Sequence, residues 1–333
     1  WRHATAEDIK EMGDKLEIIP TVCIYTKKRD GRYKCRLVAL GNRQKLSLQG
    51  EIYSPTVSHA ANRYLLVEAA ARGWKVRQFD ISNAFVRAAL GDEIVLCRLP
   101  KHNSWSKNKE KGDVVRLLKS LYGLKISPRR WYDEYSGRLK KLGWVVSEHE
   151  PGLFKKFAKD KQGKEQELWL AVYVDDNIIS GEDDDLVAAE MNAILAEFPG
   201  KEILAEYDKE GNEIRDLLGA KLTFNAKKRV MKITCEDAID KLLEKFHMKD
   251  CRAVVSPCLP NSHADLDSPS NSTFPIRSLV GGMLYISCVA RPDIAFAVQR
   301  VATQVASPTD QTVKDAKRIL AYLKGTKSQG LEY

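Results

Sequence analysis

Several common signatures are missing from this sequence, and each absence excludes a class of protein. No run of eighteen apolar residues occurs among the 333 residues, which excludes a membrane-spanning helix. The seven cysteines form no Cys-x-x-Cys pair and no zinc-finger spacing, so neither a disulfide framework nor a structural zinc site is expected. The P-loop, the GxGxxG loop and the GxSxG elbow are also absent, which removes the usual ATPases, dehydrogenases and α/β-hydrolases.

What the composition does contain is a surplus of positive charge. The chain has 54 Lys and Arg against 45 Asp and Glu, a net charge of +9. Such a surplus is typical of proteins that bind a polyanion, nucleic acid first, because phosphates attract cations and release counterions. An ordinary basic protein has the same composition, so charge alone leaves both interpretations open. The length and the 44% hydrophobic content predict a globular chain of two or three subdomains.

A β-hairpin is predicted near the N-terminus. Strand-like runs at 22–25 and 34–40 flank the turn sequence Asp30-Gly31. Five cations lie between positions 27 and 34, so the tip is either a solvated turn or an arm that grips phosphates. The charge pattern by itself favours the solvated turn.

Three aspartates stand at the ends of strand-like segments. Asp80 closes a segment over 74–80, and Asp175-Asp176 follows an apolar run, which predicts a hairpin whose tight turn is built from two carboxylates. Aspartate is an ordinary turn residue, but paired anions repel each other and call for a cation. If the two strands are neighbours, the carboxylates converge as hard oxygen ligands suited to Mg²⁺. Two such ions can activate an attacking hydroxyl and stabilise a leaving pyrophosphate.

The rest of the chain reads mainly as helices. Ser127 and Thr234 are expected to be N-caps, and a second hairpin is predicted from 217–224 and 230–233. Residues 259–275 are predicted as a loop or linker. Helices are predicted at 59–71, 127–142, 186–198, 234–246, 276–290, 292–306 and 309–324.

Three sequence blocks are specific: Gln-Phe-Asp-Ile-Ser-Asn-Ala-Phe (78–85), the run from Ser-Leu-Tyr-Gly-Leu-Lys to Arg-Arg-Trp-Tyr (120–132) and Tyr-Val-Asp-Asp (173–176). Together with five further blocks, they resemble the reverse transcriptase of copia-type LTR retrotransposons, part of a Gag-Pol-type polyprotein. Tyr-x-Asp-Asp alone is a weak signal, whereas eight blocks in order across nearly the whole chain are a strong one. The other blocks are 35–41, 53–57, 217–222, 279–295 and 318–326.

The resemblance implies RNA-directed DNA polymerase activity, in which dNTPs are added to a primer 3′ end with two Mg²⁺ ions. Asp80 would be the first catalytic carboxylate and bind both ions, with the Ile81 carbonyl as a further ligand. Asp175 would be the second metal ligand, and Asp176 would lie more peripherally among the catalytic and metal-binding residues.

The resemblance also implies a nucleotide pocket. Phe85 falls where such polymerases place an aromatic ring against the sugar to exclude a 2′-hydroxyl, although a plain core phenylalanine is the alternative. Tyr122 lies where the templating pair and incoming dNTP are contacted. Trp131 and Tyr132 are interpreted as helix residues that only pack on the neighbouring sheet.

Two further contacts carry over from the family. Lys28 and Arg36 match positions that contact the triphosphate, with Arg32 and Lys34 as close rivals. The hairpin at Leu218-Gly219-Ala220 would grip the primer end.

The fold class that the resemblance implies is α+β, a right-hand polymerase with fingers, a palm whose antiparallel sheet packs on helices, and a helical thumb. The template would be RNA or DNA, and integrase or another polyprotein-derived protein would be a further partner. No membrane partner is expected, and the location would be cytoplasmic in virus-like particles, with the nucleus as a second site. The expected division is fingers at 1–74 and 100–150, palm at 75–99 and 151–224, thumb at 225–290, and at 291–333 a connection towards an absent RNase H domain.

Two other functions fit part of this pattern. A retired relic could keep the fold and bind nucleic acid without polymerising, but the intact aspartates count against it. A different Mg²⁺-dependent enzyme, such as a nuclease, would leave Phe85 and the block at 120–132 unexplained.

Overall fold

The computed structural model describes residues 1–13, 16–27, 31–44, 52–101, 105, 107–108, 110, 112–225, 227–259 and 268–333. Within these ranges the chain forms helices and three β-sheets, divided into two compact units. The first unit comprises Trp1–Ala61 and Val76–Ile203, and the second comprises Asn62–Lys75 and Leu204–Tyr333. No described helix combines the length and apolar character needed to cross a membrane.

The first part of the chain supplies two of the sheets. The elements up to residue 203 are β1 (Arg2–His3), α1 (Ala6–Met12), β2 (Ile18–Lys27), β3 (Tyr33–Ala39), α2 (His59–Arg72), β4 (Lys75–Ile81), β5 (Leu96–Arg98), β6 (Val114–Arg116), α3 (Ser127–Lys141), β7 (Val145–Val146), β8 (Leu153–Lys159), β9 (Glu165–Tyr173), β10 (Asp176–Gly181), α4 (Asp184–Glu197) and β11 (Gly200–Ile203).

The first sheet has the order β1-β6-β5-β2-β3 and contains the predicted N-terminal hairpin. Strands β2 and β3 pair antiparallel from Thr21 with Ala39 to Lys27 with Tyr33, which confirms the hairpin over its described residues. The tip at 28–30, which includes Lys28, lies outside the described residues.

The second sheet has the order β11-β4-β10-β9-β8-β7 and carries the predicted aspartates. Its apolar side chains share one buried cluster with helices α3 and α4, because both helices present bulky apolar residues at helical spacing. Phe79 and Ile81 of β4, Ile179 of β10 and Trp131 of α3 belong to this cluster, and none is more than 2% exposed. The strand that contains Asp80 and the strand that begins at Asp176 are therefore held by a common core.

The second unit combines the third sheet with five described helices, one of which is α2, whose residues 62–72 belong to this unit. Its other elements are β12 (Glu206–Tyr207), β13 (Glu213–Leu217), β14 (Ala220–Asn225), β15 (Val230–Thr234), α5 (Glu236–Lys245), α6 (Ile276–Val289), α7 (Ala295–Ala302), α8 (Asp310–Gly325) and β16 (Leu331–Glu332). The strand order of the sheet is β12-β13-β14-β15-β16, and helices α6, α7 and α8 pack on one another.

A buried arginine joins two of the sequence blocks inside this unit. The Arg291 side chain, 1% exposed, donates to the Asp293 carboxylate at 2.9 and 2.7 Å and to the Thr326 carbonyl at 2.8 Å. The Tyr322 hydroxyl donates to the same carboxylate at 2.9 Å. Burial of this charge is tolerated because the guanidinium is paired. The blocks at 279–295 and 318–326 thus meet in a structural contact.

Two predicted N-caps are wrong, and one strand of the second predicted hairpin has a different boundary. Ser127 does not cap α3, because its hydroxyl donates to the Leu121 carbonyl at 2.7 Å and accepts from the Leu121 amide at 3.2 Å. Thr234 ends β15, and Cys235 precedes α5 without a side-chain cap. The second hairpin is confirmed, because β14 pairs antiparallel with β15 from Lys221 with Thr234 to Asn225 with Val230. Its first strand begins at Ala220 and not at Leu217, since a two-residue turn at Leu218-Gly219 separates β13 from β14.

Candidate active site

Asp80 lies one residue before the end of β4, where the neighbouring backbone approaches closely. It pairs with Lys201 of β11 in the antiparallel register. Gly200 makes this approach possible, because a Cβ there would stand 2.2 Å from the Asp80 carbonyl oxygen. After β4 the chain turns, with Asn83 at a φ of 57° and the Ser82 amide donating to the Pro199 carbonyl at 3.0 Å. The backbone position of Asp80 is therefore closely constrained.

The predicted carboxylate hairpin is present, but its turn differs by one residue from the expectation. Tyr173 pairs with Asp176, so the two turn residues are Val174 and Asp175, and Asp176 is the first residue of β10. Val174 has a φ of 60°, a left-handed conformation that is strained for a β-branched side chain. Such strain persists only where surrounding contacts hold it, and it concentrates at functional sites.

Hydrogen bonds from three elements hold this turn. The Trp131 indole of α3 donates to the Val174 carbonyl at 2.8 Å. The Ile81 amide of β4 donates to the Asp175 carbonyl at 2.9 Å, and the Asn177 side chain donates to the same oxygen at 2.8 Å. The Ile81 bond ties the residue that follows Asp80 directly to Asp175. The two carboxylate-bearing segments are thereby brought together.

The electrostatics of Asp176 reflect this convergence. Burial, followed by the negative charges of Asp175 and Asp80, raises the pKa of the Asp176 carboxyl to about 6. Carboxylate oxygens gathered in this way are the donor set that Mg²⁺ prefers, and a cation would relieve their repulsion. The described residues contain no group of three or more His, Cys, Asp or Glu side chains that could hold a metal ion in this arrangement. The donor chemistry fits Mg²⁺, and the ligand roles stay predictions.

Two predicted nucleotide-pocket residues are in contact beside these carboxylates. The rings of Phe85 and Tyr122 lie edge to face, with centroids 5.0 Å apart and an interplanar angle of 71°. Burial and the negative charges of Asp175 and Asp80 raise the pKa of the Tyr122 hydroxyl, while Arg36 opposes that shift. Tyr122, Arg36 and the aspartates are thus within electrostatic range of one another.

The loop that carries Tyr122 is fixed to the end of β3. The Ala39 amide donates to the Tyr122 carbonyl at 2.8 Å, and a Cβ on Gly123 would stand 2.1 Å from the Ala39 carbonyl oxygen. Because strand side chains alternate, Arg36 and its rival Lys34 lie on the same face of β3. The other rival, Arg32, directly precedes β3, and Lys28, the second predicted triphosphate contact, lies outside the described residues.

The predicted primer hairpin lies in the second unit. Leu218 and Gly219 form its turn with φ values of 50° and 85°, and Ala220 begins β14. The Tyr285 hydroxyl of α6 donates to the Leu218 carbonyl at 2.6 Å. The hairpin is therefore formed and held within its own unit, and its contact with a primer stays a prediction.

Sequence reasoning missed three residues at the aspartate turn. Trp131 was expected only to pack, yet its indole bonds the strained turn. Tyr135 and Asn177 were not singled out, although Tyr135 follows Trp131 at helical spacing and Asn177 interrupts an apolar strand. A polar residue in an otherwise apolar strand was the available signal.

Comparisons with known proteins bear on the family of this chain. A family profile described as reverse transcriptase (RNA-dependent DNA polymerase) matches residues 8–260. The chain is 33% identical to the retrovirus-related Pol polyprotein from transposon RE1 of Arabidopsis thaliana, over 99% of this chain and 23% of that protein. It is 30% identical to the corresponding polyprotein from transposon TNT 1-94 of Nicotiana tabacum, over 91% of this chain and 23% of that protein. The chain thus spans about a quarter of the length of these relatives.

Proposed function

We propose, from the premise that the chain belongs to the reverse transcriptase (RNA-dependent DNA polymerase) family, that it extends a primer 3′ end with dNTPs on an RNA or DNA template. The resemblance to copia-type retrotransposon polymerases is confirmed at the level of the family and of Pol polyprotein relatives. The observation that carries the proposal is the bond from the Ile81 amide to the Asp175 carbonyl, which brings Asp80 and the Val174-Asp175 turn together.

The aspartates would hold the metal ions in this activity. Bound Mg²⁺ supplies charge neutralisation for the triphosphate and activation of the primer hydroxyl. Asp80 and Asp175, with the Ile81 carbonyl, would supply the hard oxygen ligands. Asp176 would act from the periphery, which agrees with its half-buried side chain and raised pKa. The proposal is supported by the concentration of negative charge at Asp176 and by Arg36 of β3, whose charge acts on the same Tyr122 hydroxyl as those of Asp80 and Asp175.

The incoming nucleotide would bind beside Phe85 and Tyr122. The edge-to-face contact holds the Phe85 ring in one orientation, as a residue that screens the sugar needs. Arg36 would contact the triphosphate, because its charge acts on the same Tyr122 hydroxyl as the aspartates do. Lys28 would assist from the hairpin tip.

The polymerase fold implied by the family would distribute these parts among subdomains. We assign the fingers to 1–74 and 100–150, the palm to 75–99 and 151–224, the thumb to 225–290 and the connection to 291–333. The primer hairpin at Leu218-Gly219-Ala220 falls in the second compact unit, whereas this division groups it with the palm. Integrase or another polyprotein product would be a partner, and base pairing would select the sequence while the protein contacts the duplex backbone.

Primer extension by the purified chain with Mg²⁺, dNTPs and an RNA template tests the proposal. We expect Asp175→Asn to abolish nucleotide addition because a metal ligand is lost, while binding of the primer–template duplex is retained. Asp185→Asn is the matched control, since Asp185 is exposed on α4 and pairs with Lys161.

Each outcome of this experiment is informative. Extension by the wild type and the control but not by Asp175→Asn supports the proposal, and extension by Asp175→Asn refutes the metal role. If the wild type binds duplex tightly without extending it, the chain acts as a nucleic-acid-binding module.

A further inference from the structure

A buried polar pair lies directly behind the aspartate turn. Tyr135 of α3 is 1% exposed and Asn177 of β10 is fully buried. The Tyr135 hydroxyl donates to Asn177 Oδ1 at 2.9 Å, and Asn177 Nδ2 donates to the Asp175 carbonyl at 2.8 Å. A chain of two hydrogen bonds therefore runs from helix α3 to the backbone of the turn.

The direction of these bonds is determined by chemistry. The Asp175 carbonyl can only accept, so the Asn177 amide must present its NH₂ group to it. The Asn177 oxygen then faces Tyr135, whose hydroxyl must donate. Removal of the hydroxyl would leave the amide oxygen buried without its partner and would loosen the one orientation that serves Asp175.

This chain of bonds acts on the peptide group between Asp175 and Asp176. Its carbonyl accepts from both Asn177 and the Ile81 amide, which fixes the plane from which the two carboxylates extend. The preceding peptide is fixed in the same way by Trp131, whose indole binds the Val174 carbonyl. Trp131 and Tyr135 stack with ring centroids 5.1 Å apart, so one helix face controls both peptides.

We propose that Tyr135 and Asn177 are positioning residues that hold the Asp175 carboxylate in its catalytic orientation, an inference that rests on the proposed polymerase function. Neither side chain would touch substrate. Stability alone does not account for the pair, because burying two polar groups is at best weakly favourable compared with two apolar side chains of similar shape. Their benefit is in the geometry of the turn.

The experiment compares Tyr135→Phe with Tyr132→Phe. Tyr132 lies on the same helix, and its hydroxyl donates to the Pro151 carbonyl at 3.0 Å. Tyr132→Phe therefore also removes one hydroxyl hydrogen bond. We expect Tyr135→Phe to lower kcat for primer extension by about 10- to 100-fold, as the loss of outer-shell partners does at metal sites. The KM for dNTP and the Kd for the primer–template should change little, and the Mg²⁺ concentration for half-maximal rate should rise.

A double variant separates positioning from stability. Tyr135→Phe with Asn177→Leu replaces both partners by apolar groups, so Tm should recover towards the wild type. If the pair positions Asp175, kcat stays low in this variant despite the recovered Tm. Recovery of kcat together with Tm would overturn the inference.

The remaining outcomes are also decisive. A Tyr135→Phe rate equal to that of Tyr132→Phe, in a wild type that extends primers, refutes the positioning role and leaves the proposed function intact. A wild type that does not extend primers refutes the proposed function, and the inference falls with it.

Discussion

Backbone carbonyls are as important as carboxylates at the level of single residues. The Val174 and Asp175 carbonyls accept from an indole, a backbone amide and a side-chain amide, and these donors hold a strained φ of 60° at Val174. Burial, followed by the negative charges of Asp175 and Asp80, raises the pKa of Asp176 to about 6. The site is therefore arranged so that rigid backbone supports a group of mutually repelling charges.

The contact between Phe85 and Tyr122 leads to a prediction about sugar selection. We expect Phe85→Val to increase the use of ribonucleotides relative to dNTPs by about 10- to 200-fold, because the shortened side chain leaves room for a 2′-hydroxyl. The ratio of kcat/KM for the two sugars measures the effect. Phe157→Val, at an exposed position on β8, is the control and should leave the ratio unchanged. An unchanged ratio in Phe85→Val would identify Phe85 as a core residue only.

Close backbone contact is the main feature at the level of elements. Strands β4 and β11 approach at Gly200, where a side chain would meet the Asp80 carbonyl oxygen. The β9–β10 hairpin reaches the same region because its strands pair in register up to Tyr173 and Asp176. Helix α3 contacts the turn from the core side, through the hydrogen bond from the Trp131 indole to the Val174 carbonyl.

Two glycine substitutions test this arrangement with opposite expected signs. Gly200→Ala should destabilise the chain by about 1–3 kcal/mol, because the new Cβ would stand 2.2 Å from the Asp80 carbonyl oxygen. Gly137→Ala, inside α3 with open space around it, should stabilise by about 0.5–1 kcal/mol. Urea unfolding measures both changes. A neutral Gly200→Ala would contradict the close approach of β4 and β11.

Net charge is the property that matters most for the whole molecule. A charge of +9 is distributed over a chain whose proposed substrates are all polyanions. The first compact unit contains two sheets and the second contains one, each with helices, so both units can present cations from a rigid framework. Affinity for nucleic acid should then come mainly from phosphate contacts.

Salt dependence tests this expectation. Affinity for a primer–template duplex, measured by fluorescence anisotropy, should fall about a hundredfold or more between 50 and 200 mM salt as counterion release becomes less favourable. Arg36→Gln should reduce the slope of log K against log salt by about one. Lys161→Gln is the control, because Lys161 already pairs with Asp185 on the surface. Binding that is insensitive to salt would exclude phosphate contacts as the main source of affinity.

Much of the fold and part of the site could be predicted from local sequence. Hairpins such as β2–β3 and β9–β10 pair strands that are adjacent in the chain, so turn residues and apolar runs are sufficient to predict them. The exact turn at Val174-Asp175 could not be predicted, because its left-handed valine depends on the Trp131 bond. The role of Ser127 was missed for the same reason, since the Leu121 backbone competes for its hydroxyl.

The sequence by itself determined which chemistry is available: aspartates at strand ends, cations on a hairpin, and ordered blocks shared with reverse transcriptases. These features depend on residue type and on short spacings, and both can be read directly from the sequence. Only the tertiary structure decided that β4 lies beside β10, that Ile81 binds the Asp175 carbonyl, and that Tyr135 reaches Asn177. Those contacts join segments distant in the chain, and they form because a common core packs the second sheet against α3 and α4.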